Sequence, residues 1–252
     1  MVLKVEQRAG TLLLTVDRPE VKNAINRELV MAFRQALAHA EGDPSIRAIV
    51  LASSNPAVFL SGGDLGELSA QPMDAAGANA VVDIGRELAV LESASLPVIA
   101  AVEGAVFGGG CELLMLCDLL VMAKSATLSF VHARMGLTPA WGGATRLIER
   151  IGAARASELL FTARPFTADE AWQAGLATRL VADGSALESA LAVADELATR
   201  PREAIAAIKR SLIAVRTARR GAALEAEAEV FTQAWGSPPH RAVFAAIKSK
   251  KK

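Results

Sequence analysis

Cysteine is scarce in this chain, occurring only at Cys111 and Cys117. Their i,i+6 spacing on one expected helix argues against a disulfide, and no histidine lies nearby to complete a zinc site, so no metal is expected. No apolar run reaches the roughly 18–20 residues that span a bilayer, so no membrane partner is expected. The first residues, MVLKVEQRAG, lack the long apolar stretch of a secretory signal. A reducing, cytoplasmic compartment is the expectation that fits. Charge of one sign is not in excess: Lys+Arg and Asp+Glu number 27 each, which leaves no global field for nucleic acid. The one like-charge run, KSKKK at the end, reads as a solvated tail or as a phosphate contact. Repeats of 20–50 residues and low-complexity linkers are missing too. A Gly-x-Ser-x-Gly elbow is absent and the histidines are only His39, His132 and His240, which gives a serine hydrolase little basis.

What is present suits one large fold. Apolar residues make up 52% of 252, enough for a sizeable core. TLLLTVD (11–17) reads as a strand, and residues 23–43 as a helix with Ile25, Leu29, Phe33, Leu37 and Ala40 at helical spacing. IRAIVLAS (46–53) and LPVIAAVEG (96–104) read as buried strands. Residues 54–80 carry the Gly, Pro, Ser and Asn content of a loop, with a helix expected at about 79–94. CELLMLCD reads as a helix, LLVMAK and ATLSF as short strands. Strands and helices thus alternate through residue 130, the pattern of an α/β fold. From about residue 145 the chain turns helical, and residues 185–234 read as two longer helices around Pro201.

VEGAVFGGGCELLMLCD (102–118) places three glycines between a strand and a helix, with Glu112 two residues on. Backbone N–H groups stabilise developing negative charge only if the reacting atom comes within about 3 Å, and a side chain at the presenting residue would block that approach. A helix start adds unsatisfied N–H groups and its positive end. The junction is therefore built like an oxyanion site, although a tight strand–helix turn would account for it structurally. The dinucleotide glycine spacing fails here, and no Gly-Lys-Ser/Thr phosphate loop is present. Glu112 either compensates the helix dipole or faces a cavity and moves protons. AVFLSGGDLGEL repeats the arrangement, with Asp64 as its early acid. Two such turns suggest two donors converging on one oxygen.

The pair FLSGGDL and VEGAVFGGGCE, followed by MGLTPAWGGATRL, resembles the crotonase superfamily of enoyl-CoA hydratases and isomerases. The resemblance runs from VDRPEVKNAIN to the last helix. It implies a right-handed spiral of ββα turns over residues 1–185 and a C-terminal helical region over 186–252 used in trimerisation, with homotrimers or dimers of trimers. It implies an acyl-CoA thioester substrate and no cofactor beyond the coenzyme A that the substrate carries. The thioester oxygen would sit between the N–H groups of Gly63 and Gly109. Coenzyme A would pass Lys22, Ala24, Ser61, Asp64 and Leu65, with Lys248 or Lys250 as a late phosphate contact. Trp141 would shape the acyl pocket.

The family's hydratases use two carboxylates. The first matches Glu112; the position of the second falls on His132, and the place where many isomerases carry a glutamate holds Ala140. His132 reads either as a satisfied structural histidine or as the one imidazole at the site. FVHARMGLTPAWGGATRL and WGSPPHRAV look most like the ethylmalonyl-CoA decarboxylase branch. Decarboxylation needs an enolate-stabilising hole and a proton donor but no base for water. The expected reaction is therefore decarboxylation of a short branched malonyl-type thioester, ethylmalonyl- or methylmalonyl-CoA, with Glu112 or His132 positioning the carboxylate or reprotonating carbon. The alternatives are 2-enoyl-CoA hydration through Glu112 and His132, and a non-catalytic acyl-CoA-binding protein.

Overall fold

The structure, a computed structural model, describes residues 1–218 and 220–249. Lys250 lies outside the described residues. The chain opens with strands β1 (Leu3–Arg8) and β2 (Thr11–Val16), then helix α1 (Arg27–Gly42). Strand β3 (Ala48–Ser53) passes to β4 (Val58–Leu60) and to helices α2 (Leu65–Ala70), α3 (Ala75–Leu88) and α4 (Val90–Ser93). β5 (Val98–Val102), β6 (Ala105–Phe107) and α5 (Gly109–Leu114) follow. Next come β7 (Leu119–Ala123), β8 (Thr127–Ser129), a short 3-10 turn (Val131–Met135), α6 (Gly143–Ile151) and α7 (Ala153–Thr162). β9 (Phe166–Thr167), α8 (Ala168–Gln173) and β10 (Arg179–Val181) close the α/β part. α9 (Ala186–Ala198), α10 (Arg202–Thr217), α11 (Arg220–Ala234) and α12 (Pro238–Ser249) end it.

Three successive passes, β3–β4, β5–β6 and β7–β8, each contribute one strand to each of two sheets. The larger sheet has the order β1-β2-β3-β5-β7-β10 and the smaller β4-β6-β8-β9. Apart from the β1–β2 and β8–β9 pairs, neighbours run parallel. β3, β5 and β7 are buried on both faces, so they read as continuous apolar runs rather than alternating ones. Ile49, Leu51, Val98, Ala100 and Leu120 face the main core. Ala48, Val50, Ile99, Ala101 and Val121 face the other way, against Ala190, Val193 and Ala194 of α9. Small residues on both sides of that contact let the helix lie close to the sheet.

Several elements depart from the sequence expectations. The expected loop over 54–80 contains β4 and α2. α3 begins at Ala75, because Asp74 caps it by accepting from the N–H groups of Ala76 and Gly77. The two helices expected over 185–234 are three, and a fourth, α12, follows them.

Candidate functional site

β4, β6 and β8 are adjacent and parallel, so their C-terminal ends open side by side. Crevices outside the carboxyl ends of parallel strands are where such folds bind ligands. β4 delivers Gly62 and Gly63, β6 delivers Gly108 and Gly109, and β8 delivers His132. Gly62 at φ +98° and Gly108 at φ +49° adopt left-handed backbone that a side chain resists. A methyl at Gly62 would lie 3.4 Å from the Gly109 nitrogen, so the two turns are in contact. A methyl at Gly109 would lie 2.3 Å from the Trp141 ring. The Ile25 N–H donates to Gly62 O at 2.7 Å and the Asp64 N–H to Ile25 O at 2.8 Å. That parallel bridge leaves the Gly63 N–H on its other side. The Gly109 N–H is the first of α5, among those a helix leaves without an internal acceptor.

Glu112 is 2% exposed and does not merely face the start of its own helix. Its Oε2 accepts from the N–H groups of Trp141 at 2.8 Å and Gly143 at 2.9 Å, at the start of α6. A methyl at Gly143 would fall 2.4 Å from Glu112 Cγ, so the glycine is what lets the carboxylate reach. Oε1 meets His132 Nε2 at 3.0 Å. A carboxylate only accepts, so Nε2 carries the proton. Nδ1 is buried and has no partner among the described residues.

A cavity of about 500 Å3 joins these groups. Gly63, Gly109, Glu112, His132, Lys22, Ala24, Ser61, Asp64, Leu65 and Trp141 all line it. Lys248 does not; it is exposed with its Nζ 5.8 Å from the Phe244 ring centroid, while Phe244 and Ile247 reach the cavity. Trp141 is fixed by its Nε1–H, which donates to Val81 O at 2.9 Å.

Asp64 is occupied on both oxygens. Oδ1 caps α2 and Oδ2 meets the Arg18 guanidinium at 2.9 Å. Burial works against the charged form, but Arg18 and the N–H donors outweigh it and hold the carboxyl below its ordinary range. Arg18 also donates to Ala24 O at 2.6 Å. Arg18 thus straps the 18–25 loop to the first glycine turn, and sequence reasoning did not anticipate it. Asn23, fully buried at φ +55°, accepts from the Arg18 N–H at 2.7 Å and donates to Ser53 Oγ at 2.7 Å. The VKNA tetrapeptide carried that signal, since Asn is among the few side chains tolerant of left-handed backbone. Also unanticipated is Glu227 on α11. Its Oε2 accepts from Thr145 N at 2.9 Å and Oγ1 at 2.7 Å, and its buried Oε1 has no partner among the described residues. Burial first, and the nearby Glu112 second, push its carboxyl up.

Two touching glycine turns, a buried carboxylate–imidazole pair and an adjoining cavity define a site for a reaction that builds negative charge on a small oxyanion. The family model for enoyl-CoA hydratase/isomerase matches residues 6–242. The chain belongs to that family. It is 35% identical, over 91% of its length and 89% of the relative, to 2,3-dehydroadipyl-CoA hydratase of Escherichia coli strain K12. It is similar in structure to enoyl-CoA hydratase from Mycobacterium tuberculosis H37Rv, with TM-score 0.81, 31% identity and coverage of 93% and 99% of the two chains. Carnitinyl-CoA hydratase from Mycobacterium avium superposes with TM-score 0.88 at 29% identity, covering 99% and 96%. All three carry hydratase names, which lean toward hydration rather than the expected decarboxylation.

Proposed function

We propose that this enzyme adds water across the double bond of a 2-enoyl-CoA thioester. The observation that carries the reading is the 3.0 Å Glu112–His132 contact beside the paired glycine turns, supported by the hydratase names of its relatives. In this mechanism the N–H groups of Gly63 and Gly109 hold the thioester oxygen, where charge grows as C3 is attacked. The Glu112–His132 dyad takes a proton from water, and the hydroxide oxygen bonds to C3. The same proton then passes from the dyad to C2 as the enolate collapses, so the dyad ends as it began. Lys22, Ala24, Ser61 and Leu65 border coenzyme A, with Lys248 at its phosphates. Asp64 keeps that wall in place through Arg18.

A second reading rests on one observation: the position of a second carboxylate is an imidazole. An imidazole does not repel a substrate carboxylate. In ethylmalonyl- or methylmalonyl-CoA the bond from C2 to the carboxylate would break, carbon dioxide would leave, and the enolate held by the same N–H groups would take its proton from the dyad. Separate incubations with crotonyl-CoA and ethylmalonyl-CoA decide between them. Loss of the conjugated enoyl-thioester absorbance without carbon dioxide release is expected. Carbon dioxide release without hydration installs the second reading, and tight binding with no turnover of a panel of acyl-CoA thioesters would leave a non-catalytic binding protein.

We also infer a homotrimer or a dimer of trimers. Its support is the stripe of Ile208, Leu212 and Val215 on α10, spaced i, i+4, i+7 and 56%, 61% and 80% exposed. Light scattering tests it. A cytoplasmic setting suits the two free thiols. Burial pushes Cys117 up to about 12 and Cys111 higher still, so neither is reactive.

A further inference from the structure

Helix α11 carries the run LEAEAEVF (224–231), with glutamates at Glu225, Glu227 and Glu229. Glu225 and Glu229 are exposed, as a helical charge run ordinarily is. Glu227 turns inward to the first turn of α6. There its Oε2 takes the Thr145 N–H at 2.9 Å and the Thr145 hydroxyl at 2.7 Å. This is the helix start on which Glu112 Oε2 takes the N–H groups of Trp141 at 2.8 Å and Gly143 at 2.9 Å. Two carboxylates from separate helices, α5 and α11, therefore share one positive helix end. Glu227 is not among the residues that line the cavity, so it does not meet the substrate.

The other charges around Glu227 are engaged elsewhere. α11 packs against α3, α6 and α10. On α3, Asp83 pairs with Arg86, and Glu87 with Arg27 and Arg34. On α6, Arg146 goes to Glu92, Glu149 to Arg220 and Arg150 to Cys117 O. On α10, Arg216 goes to Glu92 and Lys209 to Asp118. Among the described residues no lysine or arginine pairs with Glu227, and its buried Oε1 has no partner. A helix end supplies only about half a positive charge, which two carboxylates exceed. Burial first and Glu112 second push the Glu227 carboxyl up, while the Thr145 hydroxyl and the N–H groups of Thr145 and Ala144 act the other way. Coupling between two proton sites is reciprocal. What the Glu112 charge does to the proton on Glu227, the Glu227 charge does to the proton on the Glu112–His132 dyad.

We propose that Glu227 is a positioning residue of the site: acting through Glu112 at the shared start of α6, its negative charge makes the Glu112–His132 dyad a stronger base. The proposal rests on the hydration reading above and deepens it, by naming what sets the strength of the group that takes the proton from water. Two substitutions probe it. Glu227→Gln keeps a carbonyl oxygen for both Thr145 donors and removes the charge. Thr145→Val withdraws one donor that favours the charged form, so Glu227 holds its proton to higher pH and the dyad weakens by a smaller amount.

Titration of the full chain with isotope-labelled histidine, followed by NMR, reads the dyad without any substrate. The chain has three imidazoles, and His39, exposed on α1, is the internal reference. The His132 midpoint should fall by roughly 0.5–1 pH unit in Glu227→Gln and by less in Thr145→Val, with His39 unmoved. In turnover of crotonyl-CoA, the acid limb of kcat/KM should move down with it, and the plateau should fall by roughly 2–5-fold at little changed KM. A contact that only ties α11 to α6 would lower the melting temperature of both variants and leave the His132 midpoint within about 0.2 unit of wild type, which overturns the proposal. Should Glu227→Gln prove too unstable to titrate, an unmoved midpoint in Thr145→Val overturns it equally. A lowered midpoint without hydration of crotonyl-CoA by the wild type sinks the hydratase reading and leaves the coupling standing. Hydration with an unmoved midpoint sinks the coupling and leaves the hydratase reading.

Discussion

Glu112 divides its two oxygens: Oε2 takes the Trp141 and Gly143 N–H groups, and Oε1 takes the imidazole at 3.0 Å with a long 3.5 Å contact from the Ala140 N–H. That division makes Glu112→Gln an informative change. The amide oxygen must stay on the Trp141 and Gly143 N–H groups, because an NH2 there would face two donors. The NH2 then faces His132 Nε2, which has to become an acceptor, and the imidazole proton moves to Nδ1. Apart from the long Ala140 contact the fold keeps its bonds, while the dyad loses its carboxylate charge. Glu112→Gln is therefore expected to lower kcat by roughly 10²–10⁴-fold, the range of general acid–base catalysis, with KM little changed. Glu112→Ala differs, since it strands two buried N–H groups at about 1–3 kcal/mol each. Steady-state kinetics beside urea unfolding separates the two. A Glu112→Gln enzyme with full turnover would remove the dyad from the mechanism.

Helix α12 reaches the cavity with Phe244 and Ile247, and its seat is a single imidazole. His240 is fully buried between Trp235 and Phe244, at ring distances of 4.7 and 5.2 Å. Its Nδ1 accepts from the Gly236 N–H at 3.0 Å, and Nε2 has no partner among the described residues. Burial first, then Arg241 beside it, pulls its pKa down. Arg241 itself is tied to Gly236 O and Met73 O. A base with a lowered folded pKa contributes stability above its unfolded value, and that stability is lost as pH falls below about 6.5. Protonation also removes the acceptor for Gly236. The melting temperature of the wild type should fall more steeply between pH 7.5 and 5.5 than that of His240→Phe, which costs about 1 kcal/mol at pH 7.5 for the unmade bond. Equal slopes would show that this imidazole does not set the acid limit. Such elements also mark what could be read beforehand. The glycine turns could be read as turns, because close approach and left-handed backbone restrict the residue type itself, with Glu112 beside them; His132 entered only through the family resemblance. β1 could not be read, since of its six residues only Leu3 is buried and no alternation survives. β4 and β6, three residues each, vanish among glycines and serines.

Across the whole molecule, one buried carboxylate connects the C-terminal helices to the site. Glu92 on α4 is 5% exposed. It receives Arg146 Nε from α6 at 2.9 Å, Arg216 from α10 at 2.8 Å and Arg220 from α11 at 2.7 Å. Arg220 also pairs with Glu149. Arg146 in turn donates to Trp141 O at 3.2 Å and Gly142 O at 3.3 Å, in the turn whose N–H groups hold Glu112. Four elements and the Trp141 turn therefore share one anion. Burial opposes its charge, yet Arg146 and Arg220 outweigh burial and hold its carboxyl below the ordinary range. An acid with a lowered folded pKa stabilises the fold above its unfolded value near 4.5, and the contribution is lost as pH falls further. Glu92→Gln leaves three guanidinium groups facing a neutral amide. Breaking a buried pair from one side costs about 3–5 kcal/mol, so the urea midpoint at pH 7 should drop by that equivalent, and part of the acid dependence should vanish with it. Because Arg146 loses its anchor, the turn around Trp141 should loosen as well. A displacement of about 1 Å there is enough to cost up to 10²-fold in turnover. The expected signature is a variant whose kcat, measured well below its unfolding midpoint, falls while its KM for the thioester holds. A Glu92→Gln enzyme that loses stability but keeps full kcat would show that the brace and the dyad are independent.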